Sequence, residues 1–323
     1  VIDRRTLIRT LAGGLLVSPF AAFAQQPTKV PRIGVIGGQD APPWEGLRQG
    51  LRELGYVDGR NVTIDWRGSG GNAELLPTLA TELVQLKVDI IVVGGTQATR
   101  AAKQATSTIP IVMASSANSE RIGLVESLAR PGGNITGLSN VAPELSGKRL
   151  QYLKEIAPKV SRVAVLWFPE SAAETLWSQD LLAVAAAAGL KIESIEMRIS
   201  DDYVAAFAAV TGSRADALYV NANPLHGKNR QLIADFALKS RLPSVYEERL
   251  FVVAGGLLSY APSYIELFRR AATYVDKILK GAKPADLPVE QPIKFELLIN
   301  PRTSKALGLT IPKSMLERGG ELV

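Results

Sequence analysis

Two successive series of apolar runs, each run followed by a helix-forming segment, constrain the fold of this chain more than any other feature. In the first series, residues 30–37, 62–66, 88–93 and 109–113 read as strands. Between them come a helix with Leu47, Leu51 and Leu54 on one face, a helix over 74–87 with Leu76, Leu79, Leu83 and Leu86 on one face, and a helix over 97–106. The second series follows Gly147: helix 148–156, strand 160–168, an alanine-rich helix, strand 191–195, helix 203–210, strand 215–220, helix 229–239 and strand 242–246. Continuous apolar strands imply a sheet covered on both faces, and helices between consecutive strands make the pairing parallel. Two such series predict an α/β chain with two doubly wound parallel-sheet lobes.

The residues that remain are too few for a third lobe. Residues 257–260 read as a strand, and the next helix carries Tyr264, Leu267, Phe268, Ala271, Val275 and Ile278 on one face. A proline-rich connector over 284–292 leads to a last strand at 294–299. These pieces are expected to complete the first two lobes, which requires several crossings between them. The expected division is 30–144 plus 255–288 for the N-terminal lobe and 145–254 plus 289–323 for the C-terminal lobe.

The first 24 residues stand apart. A basic head with Arg4, Arg5 and Arg9 precedes a short apolar run that ends in Ala22-Phe23-Ala24, a small-x-small site. That is the grammar of a secretory signal peptide. The paired arginines followed by Thr-Leu-Ile-Arg resemble a twin-arginine export address, with ordinary secretion as the alternative. A membrane span needs ~20 apolar residues, and Gly13, Gly14, Ser18 and Pro19 interrupt this run. The 323 residues include no cysteine. Disulfides, thiolate metal sites and a cysteine nucleophile are thereby excluded, as is a lipid anchor on a cysteine after the cleavage site. A soluble, untethered periplasmic protein is expected. The net charge of +6 comes from dispersed basic residues, so no nucleic-acid partner is expected.

Five stretches carry a family resemblance: 50–61 (GLRELGYVDGRN), 127–137 (SLARPGGNITG), 278–281 (ILKG), 284–288 (PADLP) and 305–310 (KALGLT). Together they resemble the ABC-transporter substrate-binding family that includes tryptophan- and tyrosine-binding periplasmic proteins. The resemblance implies a type I periplasmic-binding fold, with two lobes joined by a three-crossing hinge and a small-molecule ligand closed between them. It implies an ABC permease and its ATPase at the inner membrane as partners. A monomeric receptor with no cofactor, metal or catalysis is expected. Relatives commonly carry Asp-Pro where this chain has Asn118-Ser119 and again where it has Asn223-Pro224. Both departures replace a carboxylate with an amide. The expected ligand therefore has a carboxylate or polar neutral head and depends less on an α-amino group.

In doubly wound sheets ligands bind outside the carboxyl ends of strands, so the loops there supply the candidate residues. Gly95, Thr96 and Gln97 place a close turn and a hydroxyl at a helix start suited to an anion; Thr96 alternatively caps that helix. Gln39 and Asp40 follow the first strand, either as contacts or as a polar turn. Ser115, Ser116 and Asn118 follow the 109–113 strand, either holding a polar ligand group or capping a helix expected over 121–129. Asn223 ends a strand of the second lobe. Tyr246 and Glu248 are expected on one side of the next strand end and Glu247 on the other. Tyr260 ends the 257–260 strand, and each tyrosine suits either an aromatic ligand or the core. His226, the sole histidine, is expected to be solvated. No nucleophile–base pair stands at convincing spacing. An exported α/β enzyme, or a sensor passing ligand status to a membrane partner, remains the alternative to an importer's receptor.

Overall fold

Strand β1 (Arg32–Ile36) opens the first sheet of the computed structural model, which describes residues 30–140, 143–169, 172–198 and 203–323. The expected signal peptide, 1–24, lies outside the described residues. The chain continues through α1 (Pro42–Glu53), β2 (Thr63–Arg67), α2 (Leu76–Gln85), β3 (Ile90–Gly94), α3 (Thr96–Ala105), β4 (Ile111–Ala117) and β5 (Ile135–Asn140). The strands are all parallel, in the order β2-β1-β3-β4-β5. The apolar run in β3 serves both faces at once. Ile90 and Val92 pack with Trp44, Leu47 and Leu51 on one side, and Ile91 and Val93 pack with Leu83, Ala98 and Ala102 on the other.

The second lobe repeats this winding. Its elements are α4 (Pro143–Ile156), β6 (Arg162–Trp167), α5 (Ala172–Ala187), β7 (Lys191–Glu196), α6 (Tyr203–Gly212), β8 (Ala217–Val220), α7 (Pro224–Lys228), α8 (Arg230–Lys239), β9 (Ser244–Tyr246), α9 (Arg249–Val253) and β10 (Leu258–Pro262). Here the order is β7-β6-β8-β9-β10, the same pattern as in the first sheet. Both lobes thus switch direction beside their first strand, at β1/β3 and at β6/β8, and such switch points open a crevice at the carboxyl ends of the strands.

The tail completes both lobes. Helix α10 (Tyr264–Leu279) lies against α1 and the first sheet, burying Leu267, Phe268 and Val275, each contributing about 1.5–3 kcal/mol. The approach is close: a Cβ on Gly46 of α1 would stand 2.2 Å from the Ile265 carbonyl oxygen, and one on Gly50 would stand 2.5 Å from that of Arg269. Val289 then joins the first lobe's core, and Glu290 bridges Leu138. Strand β11 (Phe295–Ile299), α11 (Pro301–Ala306), α12 (Lys313–Glu317) and β12 (Gly320–Leu322) extend the second sheet.

Three differences from the sequence reading have physical causes. β10 pairs with β9, so it belongs to the second sheet, and the return to the first lobe begins after Pro262 rather than at 255. The second sheet is not wholly parallel, because β11 runs antiparallel to β10. The chain leaves β10 towards the first lobe and comes back from that side, so its next strand must run the other way. The helix expected over 121–129 does not form; this stretch is a series of turns in which Leu124 and Val125 are buried, and Asn118 and Gly123 take positive φ of 52° and 69°. The chain passes between the lobes in three places: after β5, after β10, and between Glu290 and β11. Both sheets belong to the compact unit Pro31–Val323.

Candidate functional site

A cleft of ≈ 630 Å³ lies where the two crevices face each other, lined from both lobes. On the first lobe, the turn into α3 forms its floor. Gly95 takes φ 91° and ψ 157°, a conformation open to glycine but strained for other residues. Its N–H donates to the Ser115 carbonyl at 2.7 Å. No side chain caps α3. Thr96 instead braces the turn sideways, its Oγ1 accepting the Ala117 N–H at 3.0 Å and the Ser116 hydroxyl at 3.4 Å. The first-turn N–H groups of α3 are therefore left without a side-chain acceptor, at the end of the helix that attracts anions. Register shifts at Val93/Gly94 and Met113/Ser116 mark bulges in the β3–β4 and β4–β5 pairing at this end. Trp44, 4% exposed and edge-on to Phe268 at 4.6 Å, supplies an apolar wall.

The second lobe's wall is built on a buried charge pair. Arg149, on α4, holds Glu247 Oε1 at 2.7 Å, the Tyr260 carbonyl at 2.7 Å and the Tyr219 hydroxyl oxygen at 3.1 Å. Glu247 Oε1 also accepts from Tyr219 Oη at 2.7 Å and from the Trp177 indole at 3.0 Å, while Oε2 accepts the Ala222 N–H at 2.9 Å. Burial pulls the Arg149 guanidinium down, but the Glu247 charge together with neighbouring Tyr219 and Tyr264 more than offsets it, and the balance lies above the usual arginine range. Burial pushes the Tyr219 phenol up. Such a pair, with nearly every lone pair engaged, holds α4, α5, β8 and β9 in one geometry under the cleft.

Gly95, Thr96, Gln97, Ser115, Ser116, Asn223 and Glu248 are brought together around the cleft. Thr96 sits at the first residue of α3 and Gly95 at its cap, so Thr96 is not the N-cap. Asn223 caps α7, accepting the Leu225 N–H at 2.8 Å, and its amide reaches Glu174 at 3.4 Å. The other expected residues lie elsewhere. Gln39 and Asp40 are exposed, on a turn closed by the Ala41 N–H to the Gly38 carbonyl, and the Gln39 carbonyl accepts from Arg48. Asn118 does not line the cleft. Tyr246 is fully buried and stacked on Phe251, at 4.8 Å between ring centres. The Tyr260 ring packs between Tyr152 and Phe295. β9 stops at Tyr246, so strand alternation does not govern the next two residues, and Glu247 and Glu248 both line the cleft.

His226 is not solvated. It is fully buried on α7, its Nδ1 2.9 Å from the Tyr203 hydroxyl, and burial pulls its pKa down to about 3. Arg149, Trp177 and Glu174 were not singled out by sequence, and Glu247 was expected on the side of the strand end away from Glu248. Arg149 had a readable signal: it sits in the stripe Leu145–Arg149–Leu153–Ile156, a charge where a helix turns its apolar face inward. Among the described residues no cluster of three metal-ligating side chains occurs, and no helix is long and apolar enough to cross a membrane.

The chain is 27% identical over 265 residues to a "Tyrosine-binding protein" of Clostridioides difficile (strain R20291), covering 82% of this chain and 76% of that one. It is similar to an ABC domain in complex with L-Trp from Streptococcus pneumonia, at TM-score 0.84 and 28% identity over 91% of this chain and 99% of the other. It is also similar to the ligand-free, open structure of a substrate binding protein with adhesive properties from Clostridium difficile, at TM-score 0.67 and 25% identity over 91% of this chain and 99% of the other. These likenesses carry the type I periplasmic-binding architecture that the family resemblance implied. A family model described as ABC transporter substrate binding protein matches residues 41–323, and the chain belongs to that family.

Proposed function

We propose that this chain is the periplasmic solute receptor of an ABC importer, capturing a small carboxylate-bearing solute with a polar or aromatic body as its two lobes close. The observation that carries the reading is the ≈ 630 Å³ cleft lined from both lobes, a size suited to a small molecule. A ligand that touches both walls favours the closed arrangement by the extra contacts it makes there. The α3 N-terminus with Ser115 and Ser116 suits the carboxylate, and Trp44, Phe268 and Trp177 suit an apolar body. The overall match is higher to the L-Trp complex, at TM-score 0.84, than to the open, ligand-free relative, at 0.67, which supports a reading in which the lobes close on a solute. Binding of tyrosine or L-Trp by relatives supports an aromatic solute here. No chemical step is required of the protein; its partners are a permease, which reads the closed lobes, and the ATPase that drives it.

Two measurements test this. Native mass spectrometry of protein taken from its own periplasm should show a co-purifying small molecule released unchanged. Deleting the protein should abolish energy-dependent uptake of that molecule. Turnover of the molecule, or undiminished uptake, overturns the proposal.

A further inference from the structure

The cleft follows the rims of the two sheets. On the first lobe it is lined at the end of β4 by Ser116, after β3 by Gly95, after β1 by Gly37 and after β2 by Ser69. These strands are consecutive neighbours, β4-β3-β1-β2. Three strand spacings of ~4.8 Å make about 14 Å. On the second lobe the lining runs from Pro262 of β10 to Glu247 after β9, Asn221 after β8 and Glu174 on the helix after β6, again across three spacings. The crossings between the lobes stand at the β5 and β10–β11 end. Closure about them narrows the gap between the lobes and leaves the length along each rim unchanged. About 14 Å is the span of roughly four extended residues, more than one amino acid fills.

The outer end of this length, beyond β1, is kept clear by the backbone. Gly70 and Gly71 take positive φ of 61° and 87°, which favours glycine and keeps side chains off the loop after β2. A Cβ on Gly70 would meet nothing within 4 Å. Ser69 and Ala73 add only short side chains to this end. The Trp44 ring floors the way out to it: a Cβ on Gly37 would stand 2.0 Å from Trp44 Cζ2, and one on Gly94 would stand 3.0 Å from the same atom. Arg149 and Arg249 are the cationic side chains among the described lining residues, and both are bound, to Glu247 and Glu296. A second anionic group on the solute would find no free cation here.

We propose that the solute is an elongated monocarboxylate, longer than a single amino acid, whose neutral, largely apolar arm runs outward over Trp44 to the 69–73 loop. This deepens the solute-receptor reading and rests on it. With the carboxylate at the α3 N-terminus, after β3, the arm has two spacings, about 10 Å, in which to run outward. Each methylene laid along this path leaves water for an apolar wall, so affinity grows with length until the arm passes the β2 edge.

The test is calorimetry on the full chain, stripped of ligand, with 3-phenylpropanoate, 5-phenylpentanoate, 7-phenylheptanoate and 9-phenylnonanoate. Affinity should rise by about threefold for each added methylene up to 7-phenylheptanoate. It should level off at 9-phenylnonanoate, with one molecule bound per chain throughout. Ser69→Trp puts a ring into the outer end and should weaken 7-phenylheptanoate by tenfold or more, and 3-phenylpropanoate far less. Ser69→Leu, a smaller change, should give the same ordering with a smaller loss. Affinity that does not rise beyond 3-phenylpropanoate, a rise that persists unchanged in both variants, or no binding by any of the four acids overturns the inference. The receptor reading is decided separately, by uptake: a co-purified solute that is imported but is no longer than one amino acid overturns this inference alone.

Discussion

Arg121 and Asp180 tie the two lobes together, with the Arg121 Nη1 2.5 Å from Asp180 Oδ2. Arg121 comes from the turns between β4 and β5 of the first lobe, and Asp180 from α5 of the second. Under the proposed closing of the lobes, a pair that spans them adds to closure rather than to the folding of either lobe. It is partly exposed, which limits it to about 0.2–1 kcal/mol. Arg121→Ala should therefore weaken solute binding by up to about fivefold at low ionic strength, and by much less in 0.5 M salt. The melting temperature should hardly move. An affinity loss equal at both salt concentrations would count against a role in closure.

The Arg149–Glu247 pair should behave in the opposite manner. Removing one member strands a buried charge, at a cost of about 3–5 kcal/mol. Arg149→Met should accordingly shift the denaturant midpoint strongly. Arg149→Met with Glu247→Gln should be less damaging than Arg149→Met alone, because the stranded charge is gone. Equilibrium urea unfolding of the two variants decides the point.

Acid should destabilise the second lobe through His226. Its folded pKa, about 3, lies below the unfolded value near 6.5. The folded state then binds fewer protons than the unfolded one, so this contribution is complete above pH 6.5 and is lost as pH falls towards 3. At pH 5 the loss is about 2 kcal/mol. The pair Tyr203→Phe with His226→Leu removes both ends of the buried contact. Its stability should decline less between pH 6.5 and pH 5 than that of the parent, as read by urea midpoints across that range.

Gly95 should resist substitution. Alanine at φ 91° and ψ 157° costs about 1–3 kcal/mol of backbone strain. Relieving that strain would rotate the turn that aims the α3 N–H groups into the cleft. Gly95→Ala should lower the melting temperature and weaken binding of carboxylate-bearing solutes. A variant with unchanged affinity in calorimetry would remove the α3 terminus from the site.

Much of the fold was legible because both faces of each sheet are covered. The run Ile90–Val93 is apolar at every position, and the helices on either side carry stripes that answer it. Elements of three to six residues, such as α11, α12 and β12, are too short to show a period. The 121–129 stretch misled because its buried Leu124 and Val125 imitate one turn of an apolar helix face, while Asn118 and Gly123 bend the backbone out of it.

The site was legible where loops follow strands, and less so where helices reach in. Thr96, Ser116 and Glu248 stand at the ends the fold rule points to. Gln39 and Asp40 follow a strand too, but a tight turn at Gly38–Ala41 carries them to the surface. Arg149 and Trp177 come from the middle of α4 and α5, and only the folded packing brings them under the cleft. Carboxylates absent from two familiar positions suggested a wall without acceptors, because a reading by position could not see Glu247 and Glu248 converge from beyond the end of β9.

The tail that supplies α10 to one lobe and β10, β11 and β12 to the other sets the order in which this protein can be made. A chain grows from its N-terminus, yet the first sheet is only partly covered on the α1 side until Leu279 has emerged, and the second sheet lacks strands until Leu322 has. Neither lobe can finish early and wait for the other. Both must reach their final state together, once Leu322 has emerged, and damage within residues 264–323 should appear in both lobes at once.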